Sequence, residues 1–141
     1  GIDAIEWGKQ AAEMGAGELL VTAIDREGTG QGYDLDLTSQ IAESVPIPVI
    51  AGGGAGQANH VYEVVSQGKA DAVCMASIFH YNFLKKRIPA DDYSEEGNTV
   101  YLNSPLEFSK IQDVSLPDVK EYLIQQGVPC RPVGEGSWCH K

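Results

Sequence analysis

Three small groups of residues could do chemistry together in this chain: Asp25 with the glycines after it, the run Gly52-Gly-Gly-Ala-Gly56, and the pair Ala76-Ser77. Asp25 offers a carboxylate for acid–base work. The glycine run offers backbone N–H groups that can crowd around an anion without side chains in the way. Ala76 and Ser77 add N–H and hydroxyl donors. A phosphate is the usual guest of such donors, so the chemistry suggested is the holding of a phosphorylated small molecule beside a carboxylate.

Each group follows a short apolar run. Leu19-Leu-Val-Thr-Ala-Ile leads into Asp25-Arg-Glu-Gly-Thr-Gly-Gln-Gly-Tyr-Asp34, with glycines at 28, 30 and 32. Ile47-Pro-Val-Ile-Ala leads into the glycine run, and Ala70-Asp-Ala-Val-Cys-Met leads into Ala76-Ser-Ile-Phe-His80. A buried parallel strand reads this way when its carboxyl end opens into a site. A single copy is equally an ordinary turn, and glycine-rich turns often serve only tight packing. The recurrence of the pattern favours the site.

Helical spacing fills the intervals. Residues 3–14 carry Ile5, Ala11, Ala12 and Met14, and Gly15-Ala-Gly17 closes the helix. A helix over 34–44 presents Leu35, Leu37 and Ile41, with Val45 after it, and Pro46 and Pro48 end it. Helices follow over 57–67 and 116–126, the last with Ser115 and Asp118 as a capping pair and Gly127 as its stop. Strands are predicted at 18–24, 47–51 and 71–75. Strands alternating with helices imply right-handed βαβ units and a parallel sheet.

At this spacing the segments Thr22–Asp34, Pro48–Gly56 and Ala76–His80 resemble strands six, seven and eight of the cyclase subunit of imidazole glycerol phosphate synthase. The resemblance covers roughly residues 2–81 and 113–131. The sister isomerase of that pathway shares the general pattern, but Ile24-Asp-Arg26 and Gly32-Tyr-Asp34 fit the cyclase better. The family fold is a (β/α)8 barrel, which takes about 250 residues. This chain has 141. The resemblance therefore implies a partial barrel, a half-barrel carrying the later strands as a single domain over 1–141. Gly1, where an initiator Met is missing, reads as a tag remnant, a cleavage point or the start of a fragment.

The resemblance also implies an activity. In the family, ammonia from a glutaminase partner passes through the barrel to a phosphoribulosyl formimino aminoimidazole carboxamide ribonucleotide. Cyclisation and cleavage then give imidazole glycerol phosphate and aminoimidazole carboxamide ribonucleotide. The two catalytic aspartates lie at the ends of strands one and five and have no counterpart here. Asp25 matches an active-site aspartate at the end of strand six. Gly53, Gly54, Ala55, Gly56, Ala76 and Ser77 match the phosphate cradle, Thr22 lines the substrate site, and His80 matches a histidine to which we give a structural role. Gly52 and Ala23 stand where the family usually carries serine. The expected partners are a phosphorylated small molecule, a second copy or an amino-terminal half-barrel, and, in the full enzyme, the glutaminase subunit. No cofactor is expected.

Between Tyr81 and Asp113 lies a stretch that the family normally lacks. It holds Lys85-Lys-Arg87, the acidic run 91–97 and the strand-like Asn98-Thr-Val-Tyr-Leu-Asn103. Residues 82–113 read as an insertion emerging beside the phosphate loops, either a lid or added strand or, favoured here, a tolerated surface loop. Residues 132–141 read as a flexible tail.

Composition limits the partners. Ten basic against twenty acidic residues give a net charge of −10, which repels nucleic acid and anionic membranes. No run approaches the ~20 apolar residues of a membrane span, and no secretory signal precedes the first helix. Cys74, Cys130 and Cys139 fit no zinc spacing. Cys139-His140 supplies only two potential ligands, too few for a metal site. Reduced thiols and a cytoplasmic origin are expected.

Overall fold

The computed structural model describes residues 1–87, 111–112 and 114–132. The acidic run 91–97, the strand-like segment 98–103, Cys139-His140 and the side chains of Lys85-Lys-Arg87 lie outside the described residues.

Helix α1 spans Ala4–Glu13. It starts at Asp3, whose Oδ1 accepts from the Ile5 and Glu6 N–H groups at 3.0 and 3.1 Å, satisfying two donors that the first turn leaves open. Gly15, with φ +99°, ends it. Strand β1 is Leu19–Thr22. Helix α2, Leu35–Ser44, is capped by Asp34, which accepts from Leu37 N–H at 3.0 Å. Strand β2 is Val49–Gly52, helix α3 Ala58–Ser66 and strand β3 Ala72–Cys74. Helix α4 follows at Ser77–Arg87. Helix α5, Leu116–Gln125, opens with the expected capping box: Ser115 and Asp118 each bond the other's backbone.

The chain is thus α/β, with three parallel strands in the order β1-β2-β3 alternating with helices. Register aligns Leu20, Ile50 and Ala72 across the sheet, then Thr22, Gly52 and Cys74. Successive side chains of a strand face opposite ways, so these six residues share one face. Leu19, Val21, Val49, Ala51 and Val73 share the other.

Among the described residues, only the second face is covered by helices. Val49 and Ala51 are fully buried there, and Tyr33, Val64 and Ala70 pack around Ala51. Gly8 lets α1 come close: a Cβ there would lie 3.4 Å from Leu19 Cδ1 and 3.6 Å from Ile41 Cγ2. Val61 of α3 packs with Val119 and Leu123 of α5. On the bare face Leu20 is 61% exposed.

Two features depart from the sequence reading. The strands are shorter than 18–24 and 71–75, because the chain turns at once after Thr22. Arg26 and Glu27 N–H both bond the Ala23 carbonyl at 3.0 Å, leaving Ile24 85% exposed. Helix α4 was not foreseen, and it runs without a break through residue 82, where the insertion was expected to begin. Its anchor is Ile78, fully buried, and its first turn closes when Phe79 and His80 N–H bond the Ala76 carbonyl. Among the described residues no helix is long and apolar enough to cross a membrane.

Candidate functional site

Beyond the strand ends, three segments enclose a cavity of about 90 Å³. They are Gly52–Ala55 after β2, Cys74–Ser77 from β3 into α4, and Thr22 with Glu27 and Gly28 after β1. On that measure there is room for several water molecules or a small ligand.

The glycine run is shaped by the loop packed behind it. Gly53 and Gly54 have φ of +89° and +104°, a region that side chains disfavour. Gly54 O accepts from Gly32 N–H at 2.8 Å. A Cβ on Gly54 would fall 2.1 Å from Gly32 O, and one on Gly56 would fall 2.1 Å from Gly30 O. The glycines at 28–32 and at 52–56 are therefore two halves of one close backbone approach. Gly56 does not line the cavity; its N–H donates to His60 Nδ1 at 3.2 Å, and its carbonyl accepts from Gln112 N–H at 2.7 Å.

Helix α4 supplies the polarity. Its first bonds are made by Phe79 and His80, so the Ser77 and Ile78 N–H groups belong to the part of the turn that has no intrahelical acceptor. Ala76 and Ser77 line the cavity, which puts the positive end of the helix dipole there. Among the described residues no Lys or Arg lines it.

The acid in the cavity is Glu27, not Asp25. The turn that sends Arg26 and Glu27 N–H to Ala23 O leaves Asp25 exposed outside the lining. Glu27 Oε2 lies 3.2 Å from where a Gly53 Cβ would sit. Tyr33 ties the loop to β3 by donating from its hydroxyl to Cys74 O at 3.3 Å. Burial first, then the nearby Cys74 and Glu27, pushes the Tyr33 hydroxyl well above its ordinary value. His80 is exposed on α4, its ring 5.7 Å from that of Tyr81.

Of the residues singled out in the sequence, the fold brings Thr22, Gly53, Gly54, Ala55, Ala76 and Ser77 around one cavity and holds Gly56 and Asp25 apart from it. Gly28, one of the glycines after Asp25, also lines it, whereas sequence reasoning missed Glu27, Cys74 and Met75. Cys74 and Met75 had a signal, since they are the strand exit itself. Glu27 had none that distinguishes it from Asp25 without the turn. Gly52, where a serine was expected, would meet Thr22 Oγ1 at 3.0 Å with any Cβ. Among the described residues no group of three or more His, Cys, Asp or Glu could hold a metal ion.

Comparison with known proteins gives a consistent match. The family described as histidine biosynthesis protein matches residues 1–85. Imidazole glycerol phosphate synthase subunit HisF of Lachnoclostridium phytofermentans is 60% identical over 85 residues, which is 60% of this chain and 33% of that protein. The HisF subunit of Methanocaldococcus jannaschii is 59% identical over 131 residues, 93% of this chain and 37% of its own length. That of Saccharolobus solfataricus is 53% identical over 96 residues, 68% of this chain and 38% of its own. The chain spans about a third of the length of the curated relatives it matches.

Proposed function

We propose, for a chain that belongs to the histidine biosynthesis protein family, that it supplies the phosphate-holding end of a cyclase of the imidazole glycerol phosphate synthase type. The three parallel strands are then part of a (β/α)8 barrel whose substrate sits at their carboxyl ends, where such barrels place their sites. One observation carries this reading: the amino-terminal end of α4 and the glycine run after β2 border the same cavity.

Backbone dipoles do the binding in this reading. The N–H groups of Gly53–Ala55 and of the first turn of α4 favour negative charge, with Ser77 adding a hydroxyl donor. Thr22 faces the substrate from β1. Glu27 is the carboxylate at hand beside it, positioned to orient a donor group of the substrate. The remaining strands, the two catalytic aspartates and the glutaminase that delivers ammonia come from outside these residues. The natural ligand is a phosphorylated small molecule.

A second reading keeps the phosphate site without turnover, as a binding module. It is favoured by the position of Asp25, exposed and outside the cavity.

Calorimetry with inorganic phosphate and with a sugar phosphate tests the shared core of both. Binding is expected, and Ser77→Ala is expected to weaken it by about 1 kcal/mol, the net worth of one hydrogen bond. Absence of binding, or affinity indifferent to Ser77, would place the anion elsewhere.

A further inference from the structure

We propose that His60 is a positioning residue: its neutral ring latches the glycine run to α3, and protonation of the ring releases the phosphate cradle. The inference rests on the anion site proposed above and assigns its regulation.

The geometry is specific. His60 sits in the first turn of α3, yet its ring reaches back to the glycine run, where Nδ1 accepts from Gly56 N–H at 3.2 Å. Only an unprotonated Nδ1 can accept. Nε2 then carries the proton and meets the Gln57 side-chain amide at 3.1 Å, whose oxygen reaches that place by a half-turn of the amide. The same ring is a wall for the other loop: a Cβ on Gly32 would lie 3.5 Å from His60 Cδ2. Gly32 in turn donates to Gly54 O at 2.8 Å. One imidazole thus bonds the Gly56 end of the run and stands behind Gly32, which bonds Gly54 where the run borders the cavity.

Protonation gives Nδ1 a hydrogen aimed at the Gly56 N–H, so two donors face one another. The bond is lost, the ring and the Gly56 amide part, and the Gly54–Gly56 end of the run is left with the Gly32 and Gln112 bonds to hold it. Burial lowers the His60 pKa from its ordinary value, opposed by the negative charge of Glu63 one turn along α3. The latch is therefore closed at neutral pH and opens below the usual histidine range of about 6.5. Among the described residues, the other titratable or charged groups around the cradle are Glu27 on the far side of Gly53, Arg26 beside Gly54, Cys74 in the cavity lining, Tyr33 in the loop, His80 on α4, and Tyr122 of α5, which donates to Asn59 beside His60.

The sign separates His60 from these groups. Any gain of positive charge around the cradle raises anion affinity as pH falls. Release of the latch lowers it. Sulfate is the probe, because it stays doubly charged across the range and its own titration does not intrude.

The test is sulfate binding by calorimetry on the 141-residue chain at pH 7.5 and at about pH 5.2, above the sequence pI of about 4.6. We expect affinity to fall by about fivefold or more on acidification, the worth of one hydrogen bond. His60→Asn, whose Oδ1 replaces Nδ1 as acceptor, is expected to bind with a flat or rising profile. His60→Ala is expected to bind weakly at both values, with circular dichroism verifying the fold. In the unaltered chain, the Gly56 amide resonance is expected to shift with the midpoint of the His60 titration. Unchanged or rising affinity in the unaltered chain, a Gly56 amide indifferent to pH, or the same fall in a folded His60→Asn variant would overturn the latch alone. Absence of sulfate binding at both values would overturn the anion site and the latch with it.

Discussion

The carbonyl of Gly54 accepts the N–H of Gly32 at 2.8 Å, and a Cβ built on Gly54 would fall 2.1 Å from the Gly32 oxygen. The glycine at 54 is thus required by its neighbouring loop before any ligand arrives. Sequence reasoning assigns the same requirement to close approach of a phosphate. The structure supplies a different cause, and the two make different predictions.

Gly54→Ala is expected to destabilise the fold itself, by on the order of 3 kcal/mol. It adds an atom where backbone already stands and places a side chain at φ +104°. Gly28→Ala is the control. Gly28 also has positive φ, +71°, but nothing lies within 4 Å of its Cβ position, so only the backbone term of about 1 kcal/mol applies. Urea unfolding of the two variants measures the difference. Equal losses would mean that the Gly32 loop yields.

The alternation of strands and helices was legible because each strand is an apolar run that stops abruptly, and because Asp34, Ser115 and Gly127 mark helix ends by short-range chemistry. Helix α4 was not. Ser77-Ile-Phe-His-Tyr-Asn-Phe83 has aromatic and β-branched character with no cap residue before it, and it is helical because burial of Ile78 decides what local preference does not. The cradle residues were legible as types. Which acid enters the cavity was not, since Asp25 and Glu27 differ only in how a four-residue turn rotates them, and that turn is fixed by two N–H groups converging on Ala23 O.

Glu27 places negative charge beside the proposed anion, so Glu27→Gln is expected to tighten phosphate binding. At this partly solvated site the removed repulsion is worth about 1–2 kcal/mol, and the gain should shrink as salt is added. Asp25→Asn, outside the cavity, is expected to change affinity much less. Titration of both variants with inorganic phosphate at low and high salt decides it. Loss of affinity on removing Glu27 would instead make it a positioning group for the donors around it.

Tyr33 is buried and donates to Cys74 O. Tyr33→Phe should cost about 1 kcal/mol by leaving that carbonyl without its donor. The pH dependence follows from the raised ionisation of the hydroxyl. The unfolded chain releases this proton near pH 10 while the folded chain keeps it. The contribution is therefore complete below about pH 10 and falls away as pH rises further. Ultraviolet titration should show one of the six tyrosines ionising only with unfolding, and the Phe variant should lack that step.

Ammonia-dependent cyclase turnover is not expected from the 141 residues alone. General acid–base catalysis needs two placed groups, each contributing about 10²–10⁴-fold, and Glu27 is the only carboxylate lining the cavity among the described residues. Turnover is expected to rise when a chain carrying the two family aspartates is added. Activity from the isolated chain would show that another acid, with Asp91 and Asp92 the first to replace, has taken a catalytic part.

The bare sheet face gives the last expectation. Among the described residues, Leu20, Ile50 and Ala72 stand in register on the side away from the helices, with Leu20 61% exposed, and β1 and β3 each have an unpaired edge. Apolar surface joined to open strand edges favours association, so two copies should bury these faces against one another at micromolar concentration. Leu20→Lys puts a charge at the centre of that contact while remaining on a face that no helix among the described residues covers. It should shift sedimentation toward monomer with little change in the urea midpoint of the monomer. A second copy would bury the wall on which Thr22 and Cys74 also stand, so phosphate affinity should rise on dilution if association closes the cavity. A chain that sediments as monomer at every concentration, with Leu20→Lys indistinguishable from it, would show that the exposed face is tolerated without a partner.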